Sequence, residues 1–163
     1  MYTKKQKIKT YVNFFLILFA VEIFNFFIAY KKVQEIYATG NDLFWTLPMQ
    51  WLVPIWSLLY VSMAITGAMV YTKRKSHIRN FALTAWVIQL ILNILWPISY
   101  YYIPLQALTP ILVTLVFMTM IVFMFYGFLL DRKIVLISIP YFFMVVYKLI
   151  LHWILYILNI KLI

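Results

Sequence analysis

The sequence predicts a bundle of five membrane-spanning helices. Three observations carry that expectation. Hydrophobic residues make up 66% of the 163-residue chain, charged residues only 11%, and the mean hydropathy is +0.95. A soluble domain holds about 45–50% apolar and about 25% charged residues, and a core of this length could not hide the surplus from water. The charges are also bunched, and they leave five apolar stretches each long enough for the roughly 20 residues that cross a bilayer. In lipid the backbone must bond within its own segment, so the spans are expected to be helices. The chain has no cysteine, which excludes a disulfide scaffold, a thiolate metal site and a cysteine nucleophile.

The spans are expected at about 8–30, 51–72, 80–102, 105–130 and 134–160, in one domain. Lysines precede the first apolar run, as in a signal peptide. The run is too long for that role and ends at Tyr30, Lys31 and Lys32 without small residues, so it reads as an uncleaved helix. Residues 31–50 form the one loop of real length, expected to fold over the mouth of the bundle. The net charge of +10 could suggest a polyanion partner. Ten of the 14 basic residues instead fall on one side of the expected membrane: Lys4, Lys5, Lys7, Lys9, Lys73, Arg74, Lys75, Arg79, Arg132 and Lys133. The positive-inside rule then places the N terminus in the cytoplasm and the C terminus outside, and no basic domain remains for nucleic acid. Asp131, between Arg132 and the fourth span, is expected to be solvated.

Polar groups inside a span are costly and face the protein. In span two, Pro54 lies near the expected start, where a missing amide proton does no harm, and Trp56 and Tyr60 follow at helical spacing. Ala64 and Ala68 allow a close helix approach. In span three, Trp86, Gln89, Asn93, Trp96 and Tyr100 are spaced by three and four and share one face. That stripe suits a pocket for a flat, partly polar ligand, and it equally suits amide bonds between helices. In span five, Tyr141, Val145, Lys148, His152 and Tyr156 share a face. Lys148 and Glu22 sit at comparable depth. They either neutralise each other, or Lys148 is simply buried, or Lys148 meets the anionic group of a ligand. His152 reads as a core residue, because nothing has metal-ligand spacing to it. Trp153 is expected at the lipid or interface belt. There are no paired carboxylates, phosphate loop or nucleophilic triad.

Several blocks resemble the TspO/MBR family, the translocator proteins or tryptophan-rich sensory proteins. Trp45-Thr46-Leu47-Pro48 and the run Pro54-Ile55-Trp56-Ser57-Leu58-Leu59-Tyr60 are similar to the family's W-x-P-P and P-x-W-x-x-L-Y, with Leu47 in place of one proline. Gln89-Leu90-Ile91-Leu92-Asn93-Ile94-Leu95-Trp96 resembles Q-L-x-L-N-x-x-W, and Pro140-Tyr141 with Asn159 resembles the last helix. The resemblance implies a five-helix bundle and a homodimer in a bacterial cytoplasmic membrane. It also implies a pocket for a tetrapyrrole (porphyrin or haem) or a similar flat hydrophobic molecule such as a sterol. It places Trp56, Asn93 and Trp96 in that pocket and Trp45 and Pro48 in its lid. Together with the stripes, the candidate ligand-binding residues are Trp45, Pro48, Trp56, Tyr60, Gln89, Asn93, Trp96, Tyr141, Met144 and Lys148. No cofactor is required beyond a porphyrin or haem as ligand. The departures are specific. Met144 stands where the family has tryptophan, which weighs against light-dependent porphyrin breakdown, the enzymatic alternative. Lys148 replaces a family alanine, and His152 closes a stretch, Lys148-Leu149-Ile150-Leu151-His152, that departs from the family's A-T-x-L-N. A lysine there would favour a carboxylate-bearing ligand. The third alternative is a structural subunit with no small-molecule ligand.

Overall fold

The computed structural model describes residues 2–38, 49–103 and 105–158. Within them are five helices: α1 (Lys4–Ala38), α2 (Met49–Thr72), α3 (His77–Tyr102), α4 (Leu108–Leu130) and α5 (Arg132–Ile157). All five are long and apolar enough to cross a membrane. Around the bundle the order is α1, α2, α5, α4, α3, closed by α3 against α1, while α2 also touches α3 across the ring. The outer surface carries exposed Phe, Leu, Ile and Val side chains, which lipid rather than water can solvate.

The helix α1 departs from the expected limits. It continues through Ala38, well past the expected loop start at residue 31. Lysine, glutamine, glutamate and alanine in this stretch are good helix formers, so the charged pair Lys31-Lys32 ends the apolar run without ending the helix. At 1.5 Å per residue its 35 residues reach about 52 Å, beyond a hydrocarbon core of about 30 Å. It is also the least buried helix, seated by Phe14, Leu18, Glu22 and Asn25 along one narrow face. The helix α2 starts at Met49, so Pro54 lies beyond the first turn rather than in it, and the Gln50 carbonyl loses its helical donor.

Short connections at the basic end are capped. The Ser76 hydroxyl accepts the Arg79 amide at 3.2 Å to start α3. The Arg79 guanidinium then donates twice, at 3.0 and 2.8 Å, to the Tyr71 carbonyl, one of the orphan acceptors ending α2. Arg79 is thus buried structure rather than a solvated topology charge. Asp131 alone separates α4 from α5. Its amide donates to the Gly127 carbonyl, its carboxylate accepts the Lys133 amide, and it pairs with Lys73 at 2.6 Å. Asp131 is partly exposed, in keeping with a solvated residue, and it also caps α5 and joins the two basic loops. Lys73, then the Lys133 amide, hold its carboxyl below the usual carboxylate range.

The core of this half is tight. Gly67 lets α2 approach the Trp86 ring so closely that a Cβ there would come within 2.6 Å of it and 2.7 Å of Phe14. The Trp86 indole donates to the Met63 carbonyl at 3.0 Å. Ala64 and Ala68 are fully buried, as small-residue packing requires.

Candidate ligand-binding site

The other half of the bundle, toward the α1–α2 connection, is built differently. Trp56 of α2 and Trp96 of α3 face each other with ring centroids 6.2 Å apart and planes tilted by 33°. Lys148 of α5 reaches between them. Its Nζ lies 3.3 Å from the Trp96 centroid and 4.3 Å from that of Trp56. One turn along α5, the His152 ring stands edge-on to Trp96 at 5.6 Å and to Tyr100 at 5.2 Å. A carbonyl only accepts, so His152 Nδ1 donates to the Lys148 carbonyl, at 2.8 Å. The result is an aromatic cage around an amine.

Pro97 explains the polar floor beside the cage. It cannot donate to the Asn93 carbonyl four residues back. The Asn25 side chain of α1 supplies the missing donor at 3.1 Å, and its Nδ2 also donates to the Tyr60 hydroxyl at 2.6 Å. Asn93 Nδ2 donates to the Tyr141 hydroxyl at 2.6 Å and to the Gln89 carbonyl at 2.8 Å. Three helices other than α3 are thereby tied to Asn93 or to Asn25, its partner. The Asn25 Oδ1 is buried and has no donor.

Glu22 does not pair with Lys148. Its carboxylate accepts the Ser57 hydroxyl on the α1 side of α2, while Trp56, the preceding residue, faces Lys148 on the α5 side. The helix α2 stands between acid and amine. Among the described residues no carboxylate comes within salt-bridge reach of Lys148, which is only 6% exposed. Cation–π contacts return about 2 kcal/mol each when desolvated, whereas removing an ion from water costs several kcal/mol. The cage compensates a charged amine only in part.

The structure brings together Trp56, Trp96 and Lys148 of the expected residues. It sets Tyr60, Asn93 and Tyr141 beside them as a hydrogen-bonded floor. Gln89 lies deeper, 1% exposed, and donates to the Met120 sulfur at 3.1 Å, so it serves helix packing. Met144 is half-buried against the core. Trp45 and Pro48 lie outside the described residues. Trp153 is part-exposed as expected, yet its indole also donates to Thr114 of α4 at 3.0 Å. Tyr156 is exposed, and Leu155 takes its place on the buried face of α5. Sequence reasoning missed Asn25 and undervalued His152. The signal for Asn25 was the acceptor that Pro97 frees, which demanded a donor from another helix. Among the described residues no three His, Cys, Asp or Glu side chains gather as a metal site.

A family model settles the kinship. It matches residues 14–157 to the TspO/MBR family. The chain belongs to the TspO/MBR family. No individual curated protein gives a match. Within this family member, the family-like blocks fall where the geometry concentrates: Trp56 and Tyr60 on α2, and Asn93 and Trp96 on α3, converge on one end of the ring. The departures Lys148 and His152 fill the space those blocks enclose. Sandwiching a flat ring between two indoles needs about 7 Å, twice a carbon contact distance of about 3.5 Å. The 6.2 Å spacing therefore admits a flat ligand only once Trp56 and Trp96 part and Lys148 withdraws.

Proposed function

We propose that this protein is a membrane-embedded binding protein or translocator for a flat hydrophobic ligand, a tetrapyrrole such as a porphyrin or haem, or a sterol-like molecule, with a regulatory output where a partner reads the bound state. One observation carries the reading: two indoles and a tyrosine pack, inside the ring of helices, around a lysine amine beside a polar floor. Such walls offer π-faces to a flat molecule, and the floor fixes its orientation. The protein would act as a homodimer in a bacterial cytoplasmic membrane with its N terminus inside, the side favoured by its basic residues.

The test is titration of the purified protein in nanodiscs with protoporphyrin, followed by the porphyrin absorption band. A saturable shift is expected, weakened at least about tenfold by Trp56→Ala with Trp96→Ala, as loss of paired aromatic anchors implies. No saturable shift with a porphyrin and no binding of a sterol would overturn the reading. Running the titration in the dark and under light separates binding from photochemical breakdown.

A further inference from the structure

We propose that, among flat hydrophobic ligands, this site prefers those that bear a carboxylic acid, and that Lys148 is the residue that selects for the acid group. This deepens the reading above and rests on the same cleft being the ligand site. Lys148 is buried, its Nζ is held over Trp96 and Trp56, and its own backbone carbonyl is already taken by His152. Among the described residues its neighbours supply π-faces and no anion. The nearest embedded acid that sequence depth suggested, Glu22, is engaged by Ser57 across α2. Asp131 is held by Lys73 at the far end of the bundle. Among the described residues the cage therefore lacks one component, a counter-anion for the amine.

A carboxylic acid supplies that component and leaves the site neutral. If the amine is neutral, the acid gives it a proton and the two become an ammonium–carboxylate pair. If the amine already carries the proton, an entering carboxylate completes the same pair. The bonds and charges at the end are identical. A buried pair of this kind is specific, because leaving one partner uncompensated is costly. The geometry also gives the route. Withdrawing Nζ from between the indoles toward the acid vacates the narrow slot that a flat ring would need. Recognition of the acid thereby clears the amine from the slot and leaves the two indoles free to part.

The experiment compares each acid with its methyl ester, which keeps the apolar body and removes the ionisable group. Protoporphyrin and its dimethyl ester form one pair, and retinoic acid and methyl retinoate form a second that is not a tetrapyrrole. In nanodiscs the wild-type protein should bind each acid at least about tenfold more tightly than its ester. Lys148→Met should bring that ratio to about one, with an unfolding temperature no lower than that of the wild type showing that the bundle still folds. Lys148→Arg should keep part of the preference. An unchanged acid-to-ester ratio in Lys148→Met, or no preference for either acid in the wild type, overturns the proposal. Preference within the retinoid pair with no binding of either porphyrin would overturn the tetrapyrrole reading and leave the acid selection standing.

Discussion

The two ends of this bundle follow opposite rules. At the basic end the Arg79, Asp131 and Lys73 side chains all have protein partners, and Gly67 lets an indole pack against a helix backbone. At the other end, among the described residues, an amine is held by rings without an anion, and a buried amide oxygen has no donor. The same chemistry, a basic group over an aromatic ring, is completed by a backbone acceptor for Arg79 over Tyr71 and left incomplete for Lys148 over Trp96. On the proposed reading, the difference separates a stabilising device from a recognition device. Groups whose hydrogen-bonding needs are met hold the helices, and a group left without its natural partner is ready to take one from outside.

Four measurements can break or sharpen that contrast. The largest effect is expected from Trp86→Ala, which empties the tight end. A loss of about 3–5 kcal/mol, the usual cost of truncating a buried large aromatic, should appear in reversible unfolding in detergent. Gly67→Val should cost about 1–3 kcal/mol through overpacking, because the ring and Phe14 it would strike are both fixed by neighbours. Lys148→Met should act in the opposite direction. Replacing an incompletely compensated buried amine with an apolar chain of similar shape should raise stability by about 1–3 kcal/mol in the absence of ligand. If Lys148→Met destabilises instead, the amine has the partner that the contrast denies it.

The smallest effect belongs to Asp131. Its folded-state carboxyl is held below the usual carboxylate range, chiefly by Lys73, so protonation favours the unfolded chain. Its contribution is complete above that range and is lost as the pH falls through it. Because the pair is partly exposed, a slight drop in unfolding temperature is expected in acid, reduced by salt. Asp131→Asn should remove this acid dependence while Lys148→Met leaves it intact.

The spans were legible because their signal is local. Apolar runs bounded by charges report directly on solvation by lipid, and each of the five stretches is a helix. The end of α1 was not legible, since Lys31 and Lys32 mark where the apolar run stops, while helix propensity carries the backbone on to Ala38. The stripe on α3 was visible as a face, but its division was not. Trp86 and Gln89 proved to be packing, Asn93 a junction between helices, and only Trp96 and Tyr100 part of the cage. Spacing says which residues share a face and nothing about which neighbour covers each turn of it.

Composition and charge by themselves determined a five-span membrane protein, and the blocks around Trp56 and Asn93 pointed to its family. Both follow from patterns along one chain, since lipid rewards apolar runs wherever they occur. Only the tertiary structure decided what Lys148 and Glu22 do. At similar depth they could have formed an ion pair, and whether they meet depends on what lies between α1 and α5. The helix α2 lies there, offering Ser57 to the glutamate and Trp56 to the lysine. The order of helices around the ring thus left the amine with aromatic faces and, among the described residues, without an anion.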